Sequence, residues 1–94
     1  MRETEIENYL KEQVRKMGGL ALKFVSPGCT GVPDRIVILP GGRIGFLEVK
    51  APGEKPRKEQ KYRIRQFGQL GCVVAYADSV EAVDRALARI ATQR

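Results

Sequence analysis

Between Arg2 and Met17 the apolar residues Ile6, Leu10, Val14 and Met17 recur at helical spacing, and Gly18-Gly19 closes the pattern as a helix C-terminus does. Leu20 to Val25 changes to alternation with β-branched and aromatic residues, which predicts a strand. A stretch rich in Gly, Pro and Ser, Ser26 to Pro33, cannot continue it. Two apolar runs follow, Arg35 to Leu39 and Arg43 to Lys50, joined by Pro40-Gly41-Gly42, and the pair reads as a hairpin. After Ala51-Pro52-Gly53 a very basic helix is expected from Pro56 to about Phe67, with Gly68 and Gly71 at its end. Cys72 to Ala77 reads as a short buried strand. Asp78 or Ser79 then caps a last helix with the stripe Val80, Val83, Leu87 and Ile90.

The order αβββαβα, without repeats or a linker long enough to divide it, predicts one α/β domain over residues 1–94, a mixed central sheet flanked by helices. Ninety-four residues are near the lower limit for a core that stabilises itself. Seventeen Lys and Arg against eleven Asp and Glu leave a formal charge of +6, which suits a polyanion; an acidic membrane or acidic protein would suit it equally. No apolar run approaches the roughly 20 residues of a membrane span, and the start of the chain is charged, so the expectation is an intracellular protein. Cys29 and Cys72 stand far apart and suggest neither a zinc site nor a disulfide framework. The chain has no histidine, which removes imidazole-based triads and metal centres and leaves any catalysis to carboxylates, Lys and a bound ion.

The hairpin supplies that chemistry. Residues two apart on a strand share a face, so Glu48 and Lys50 point the same way as Ile44 and Phe46. If the turn is the three residues Pro40 to Gly42, Asp34 lies opposite Glu48; a two-residue turn would separate them. Two carboxylates facing each other repel unless a cation bridges them, and hard divalent ions bind through such groups. A Lys beside the pair is placed to orient a water or a phosphate oxygen. The triplet Glu48-Val49-Lys50 alone is a weak signal; its pairing with Pro33-Asp34 strengthens it. On the first helix, projection puts Glu3 near the centre of the apolar stripe and Glu7 at its edge, so Glu3 either turns to the acid pair or serves the helix dipole, with Glu7 as the alternate. Gln60, Ile64 and Phe67 share a face of the basic helix and aim Gln60 at the sheet. Arg57, Lys58, Lys61 and Arg65 cluster elsewhere on it, either as a track for DNA phosphates or as a solvated face. Lys23 and Ser26 are either further phosphate contacts or solvent-facing residues. Tyr9, Tyr62 and Tyr76 are too scattered to predict a base-stacking platform.

Lys23-Phe24, Ser26-Pro27-Gly28, Gly31-Val32-Pro33-Asp34-Arg35, Phe46-Leu47-Glu48-Val49-Lys50-Ala51-Pro52-Gly53 and Gln60 follow an acidic amphipathic first helix. Over nearly its whole length the chain thus resembles the VRR-NUC family, the virus-type replication-repair nucleases of the PD-(D/E)XK superfamily. The resemblance implies a restriction-endonuclease-like core with Mg²⁺ or Mn²⁺ held by Asp34, Glu48, the Val49 carbonyl and Glu3. It implies that Lys50 serves the attacking water and the scissile phosphate, that Gln60 completes the signature, and that Arg35 joins the DNA contacts. Short members are similar to Holliday-junction resolvases acting as homodimers on branched DNA. The expected activity is therefore a metal-dependent, structure-specific endonuclease. A nicking or restriction-type duplex nuclease, or a DNA-binding module without activity, is the alternative.

Overall fold

The computed structural model of the chain describes residues 1–93. Helix α1 spans Glu3–Lys16 and begins where Glu5 Oε1 accepts the Arg2 amide at 2.8 Å. Its stripe Ile6, Leu10 and Val14 is fully buried. The strands are β1 (Leu20–Lys23), β2 (Arg35–Leu39), β3 (Arg43–Val49) and β4 (Val73–Ala77), in the sheet order β1-β2-β3-β4. The first three are antiparallel neighbours and β3 and β4 run parallel, so the sheet is mixed. Helix α2 (Lys58–Gln69) is the crossover between the parallel pair, which cannot be joined by a tight turn. Helix α3 (Val80–Ala91) ends the described fold, with Ser79 Oγ accepting the Ala82 amide at 3.0 Å as its cap.

One face of the sheet carries the core. Val37 and Leu39 of β2, Leu47 and Val49 of β3 and Ala77 of β4 alternate inward against Ile6, Leu10 and Val14 of α1 and Val83, Leu87 and Ile90 of α3. Gly45 lies on this face because a Cβ there would be driven into the Ile90 side chain. On the other face α2 packs along β4, and Phe46 of β3 meets Phe67 edge-on at 5.0 Å and Phe24 in a tilted arrangement at 5.5 Å. The helix does not reach the β1 side, and Leu20 and Leu22 remain 56% and 47% exposed on that face.

Several boundaries differ from the sequence reading. The first strand ends at Lys23 rather than Val25, although the Phe24 amide still donates to the Asp34 carbonyl. The basic helix begins at Lys58, not Pro56: the Arg57 amide is taken by the Gln60 side chain, which makes Arg57 the cap. The last strand starts one residue late, at Val73. Both cysteines are free. Among the described residues no helix is long and apolar enough to cross a membrane.

Candidate active site

The hairpin turn is the three-residue one, since Leu39 pairs with Arg43 and the ladder runs to Arg35 opposite Leu47. One step further, Asp34 comes alongside Glu48. The strand has ended there, and Asp34 uses its side chain in place of the missing ladder: Oδ1 accepts the Val49 amide at 3.1 Å. Its own carbonyl accepts the Phe24 amide at 2.8 Å, so Asp34 is tied to both flanking segments. The preceding loop is clamped to α2. Arg63 Nε donates to the Thr30 carbonyl at 3.0 Å, and Gly31, at φ +84°, leaves only 2.5 Å between a Cβ and the Glu59 carbonyl oxygen. A side chain at Gly31 would both strain the backbone and push the loop off the helix.

Glu48 is 5% exposed. Its Oε2 accepts from Gln60 Nε2 at 3.0 Å and lies 3.3 Å from Lys50 Nζ, whereas Oε1 is buried with no partner. Gln60, 7% exposed, uses both ends of its amide, since its Oε1 accepts the Arg57 amide at 2.8 Å. One side chain therefore starts α2 and fixes Glu48. Burial pushes the Glu48 carboxyl above the usual range, the Asp34 charge pushes the same way, and Lys50 opposes them. Asp34 is also raised, chiefly by burial; the Val49 hydrogen bond opposes this and the Glu7 charge adds to it. Two raised acids with an unused buried oxygen between partners form a place that favours added positive charge.

The structure does not bring every predicted residue to this place. Glu3 is exposed at the first position of α1, a turn before the first buried residue. The helix acid that faces the pair is Glu7, half-buried, whose charge reaches Asp34 and whose Oε1 lies 3.2 Å from the Arg35 guanidinium. Arg35, expected among the DNA contacts, is 8% exposed and spent internally on Glu7 and on the Ala21 carbonyl at 3.2 Å. Strand alternation explains this, because Arg35 shares the core face with Val37 and Leu39. Lys23 is exposed beside Arg35, on the face opposite Glu48, and Ser26 is half-buried in the loop. Arg57, Lys58, Lys61 and Arg65 are all exposed along α2. Sequence reasoning set Tyr76 aside as one of three scattered tyrosines, and did not place it as the β4 partner of Glu48. No periodicity reports that neighbour, because a parallel register is set by the crossover rather than by a turn.

No family model matches the chain. A solved structure described as "VRR_NUC domain" superposes with a TM-score of 0.83 at 34% sequence identity, covering 92% of this chain and 94% of that one. The chain belongs to the VRR-NUC nuclease family. It is also 53% identical over 79 residues to a protein named "Putative nuclease p44" from Acyrthosiphon pisum secondary endosymbiont phage 1, a match that spans 84% of this chain and 85% of the relative. The mixed four-stranded sheet with its C-terminal helix is the architecture of that VRR-NUC structure.

Proposed function

We propose that this VRR-NUC protein is a divalent-metal-dependent endonuclease that hydrolyses phosphodiester bonds in branched DNA, four-way junctions included, as a homodimer. The observation that carries the reading is the buried pair Asp34 and Glu48, both held above the ordinary carboxylate range by burial, with Glu48 Oε1 unpartnered and Lys50 alongside. Among the described residues no three acidic, Cys or His side chains come close enough to cage an ion. Mg²⁺ is commonly held by one or two carboxylates and completes its shell with waters and substrate phosphate.

The oxygens that would hold the ion are Asp34, Glu48 Oε1 and the Val49 carbonyl, which lies on the same side of β3 as the amide that Asp34 accepts. Bound there, such an ion would offset the paired negative charges and supply Lewis acidity for the activation of water. Gln60 and Lys50 hold Glu48 Oε2, so that the other oxygen stays free. Lys50 spends one of its donors on Glu48 and has others for the scissile phosphate as charge builds on it. Attack of water on phosphorus then breaks the P–O3′ bond, leaving a 5′-phosphate and a 3′-hydroxyl. Glu7, rather than the exposed Glu3, is the first-helix acid near this pair, acting at one remove through Arg35 and its charge on Asp34. The exposed cations of α2 attract the DNA backbone. A second copy covers the apolar strip of Leu20, Leu22 and Ile44 that α2 leaves bare, and a two-fold pair presents two sites to the symmetric strands of a junction.

Purified protein assayed on four-way junction and linear duplex with Mg²⁺, Mn²⁺ or chelator tests the reading. Cutting is expected only with metal and preferentially on the junction. Equal cutting of both substrates would favour a nicking or restriction-type nuclease, and binding without cutting under any ion a DNA-binding module. Light scattering checks the dimer, and Leu22→Lys should give a monomer.

A further inference from the structure

Between α2 and β4 lies a cleft of about 320 Å³ lined by Lys55, Pro56, Lys61, Ile64, Arg65 and Tyr76. It is separate from the acid pair but adjacent to it. Tyr76 is the register partner of Glu48 across the parallel ladder, and partners on neighbouring strands share a face, so the tyrosine stands one strand spacing, about 4.8 Å, from the Glu48 backbone. Along one strand of a duplex successive phosphates are about 3.4 Å apart in axial rise. The cleft therefore opens beside any phosphate held at Glu48 and Lys50.

Its chemistry divides in two. One wall is apolar, made by Pro56, Ile64 and the Tyr76 ring, which is 38% exposed although it lies on a face where Val74 and Phe46 are covered. The rim is cationic: Lys55, Lys61 and Arg65 are exposed, and none is ion-paired, since the ion pairs among the described residues engage Arg15, Arg35 and Lys50. A solvated charge run needs no aromatic wall, and an apolar pocket for a neutral ligand needs no unpaired cations. An aromatic face with cations converging beside it matches a nucleotide, whose base stacks while its phosphate is held electrostatically. Bases inside a duplex have both faces occupied by their neighbours. The occupant must be an unstacked one, as found at a branch point or in a single-stranded segment.

We propose that the cleft between α2 and β4 is a subsite for one unpaired nucleotide flanking the scissile phosphate, its base against Tyr76 and Ile64 and its phosphate between Lys61 and Arg65. The proposal rests on the nuclease reading for the position of that phosphate, and it ties the preference for branched DNA to a local feature: a base free to leave the stack close to the cut.

The test is a walk of single abasic residues, one position at a time, on both sides of the branch point in a four-way junction. Binding is measured by anisotropy in Ca²⁺ and cleavage in Mg²⁺. One position should weaken binding by about tenfold or more, as loss of a base–aromatic stack does. Tyr76→Ala should bind intact junction more weakly and show no further loss at that position, while Tyr76→Phe, which keeps the ring, should retain the wild-type profile. A flat wild-type profile, or the same dip in Tyr76→Ala, overturns the subsite even if the junction is cut normally. A dip in binding that depends on Tyr76, with no cleavage in any metal, upholds the subsite and refutes the nuclease reading instead. No binding to any of these DNAs overturns both.

Discussion

Replacing Gln60 by alanine removes two hydrogen bonds that hold different parts of the molecule. The amide oxygen accepts the Arg57 N–H at the start of α2, and the amide nitrogen donates to buried Glu48. A neutral hydrogen bond of the first kind is worth about 1 kcal/mol, and one to a charged partner about 1.5–3 kcal/mol. The sum, about 2.5–4 kcal/mol, is large against the stability of a chain this short. At about 4–8 °C per kcal/mol for a domain of this size, Gln60→Ala should lower the melting temperature by at least about 10 °C. Thermal unfolding followed by circular dichroism measures it. A companion variant, Gln60→Glu, keeps the oxygen for Arg57 but sets a second carboxylate against Glu48. Both acids would then titrate above their unfolded values, so the penalty is full above the folded pKa values and vanishes below the unfolded ones: Gln60→Glu should be weak at neutral pH and recover as pH falls. A loss under about 4 °C for Gln60→Ala, or a Gln60→Glu protein as stable as wild type at pH 7, would refute the dual role of this side chain.

Other outcomes follow from the same geometry. Lys50→Ala should abolish cleavage in a gel assay while anisotropy still detects junction binding. Asp34 and Glu48 are both raised by burial, so their ionisation is a stability cost that is complete above the folded pKa values and absent below the ordinary ones of 3.8 and 4.5. In chelator, Asp34→Asn should therefore melt above wild type at pH 7, with the gap closing toward pH 4; a gap that widens on acidification contradicts the assigned cause. Adding Mg²⁺ or Mn²⁺ should raise the wild-type melting temperature and leave that of Asp34→Asn unchanged, since only a protein that binds the ion in its folded state gains by it. Gly45→Ala should cost about 1–3 kcal/mol in urea unfolding, because its Cβ would invade the space of the fully buried Ile90.

Much of this site was legible before any coordinates, and the failures have identifiable causes. Antiparallel pairing follows from local turn length, so the three residues Pro40 to Gly42 were enough to bring Asp34 to Glu48. Helical spacing likewise aimed Gln60 at the sheet. A helix projection gives the angle of a side chain but not how far the sheet extends beneath it, which is why Glu3 looked central and yet protrudes past its cover. Arg35 was misjudged by reading its charge before its parity: alternation with Val37 and Leu39 already assigned it to the core face. Tyr76 could not be found this way, since its neighbour Glu48 is reached only through a helical crossover that no local pattern measures.

The hairpin tip has a consequence for how this protein can be altered. Five residues of strand at about 3.4 Å each separate it from the acids, so a loop about 17 Å distant acts as a gauge block for their alignment. Lengthening that loop by a single residue would turn one acid away from the other while touching neither. On this reading the catalytic pair could be disabled by an insertion at the end of the hairpin farthest from it.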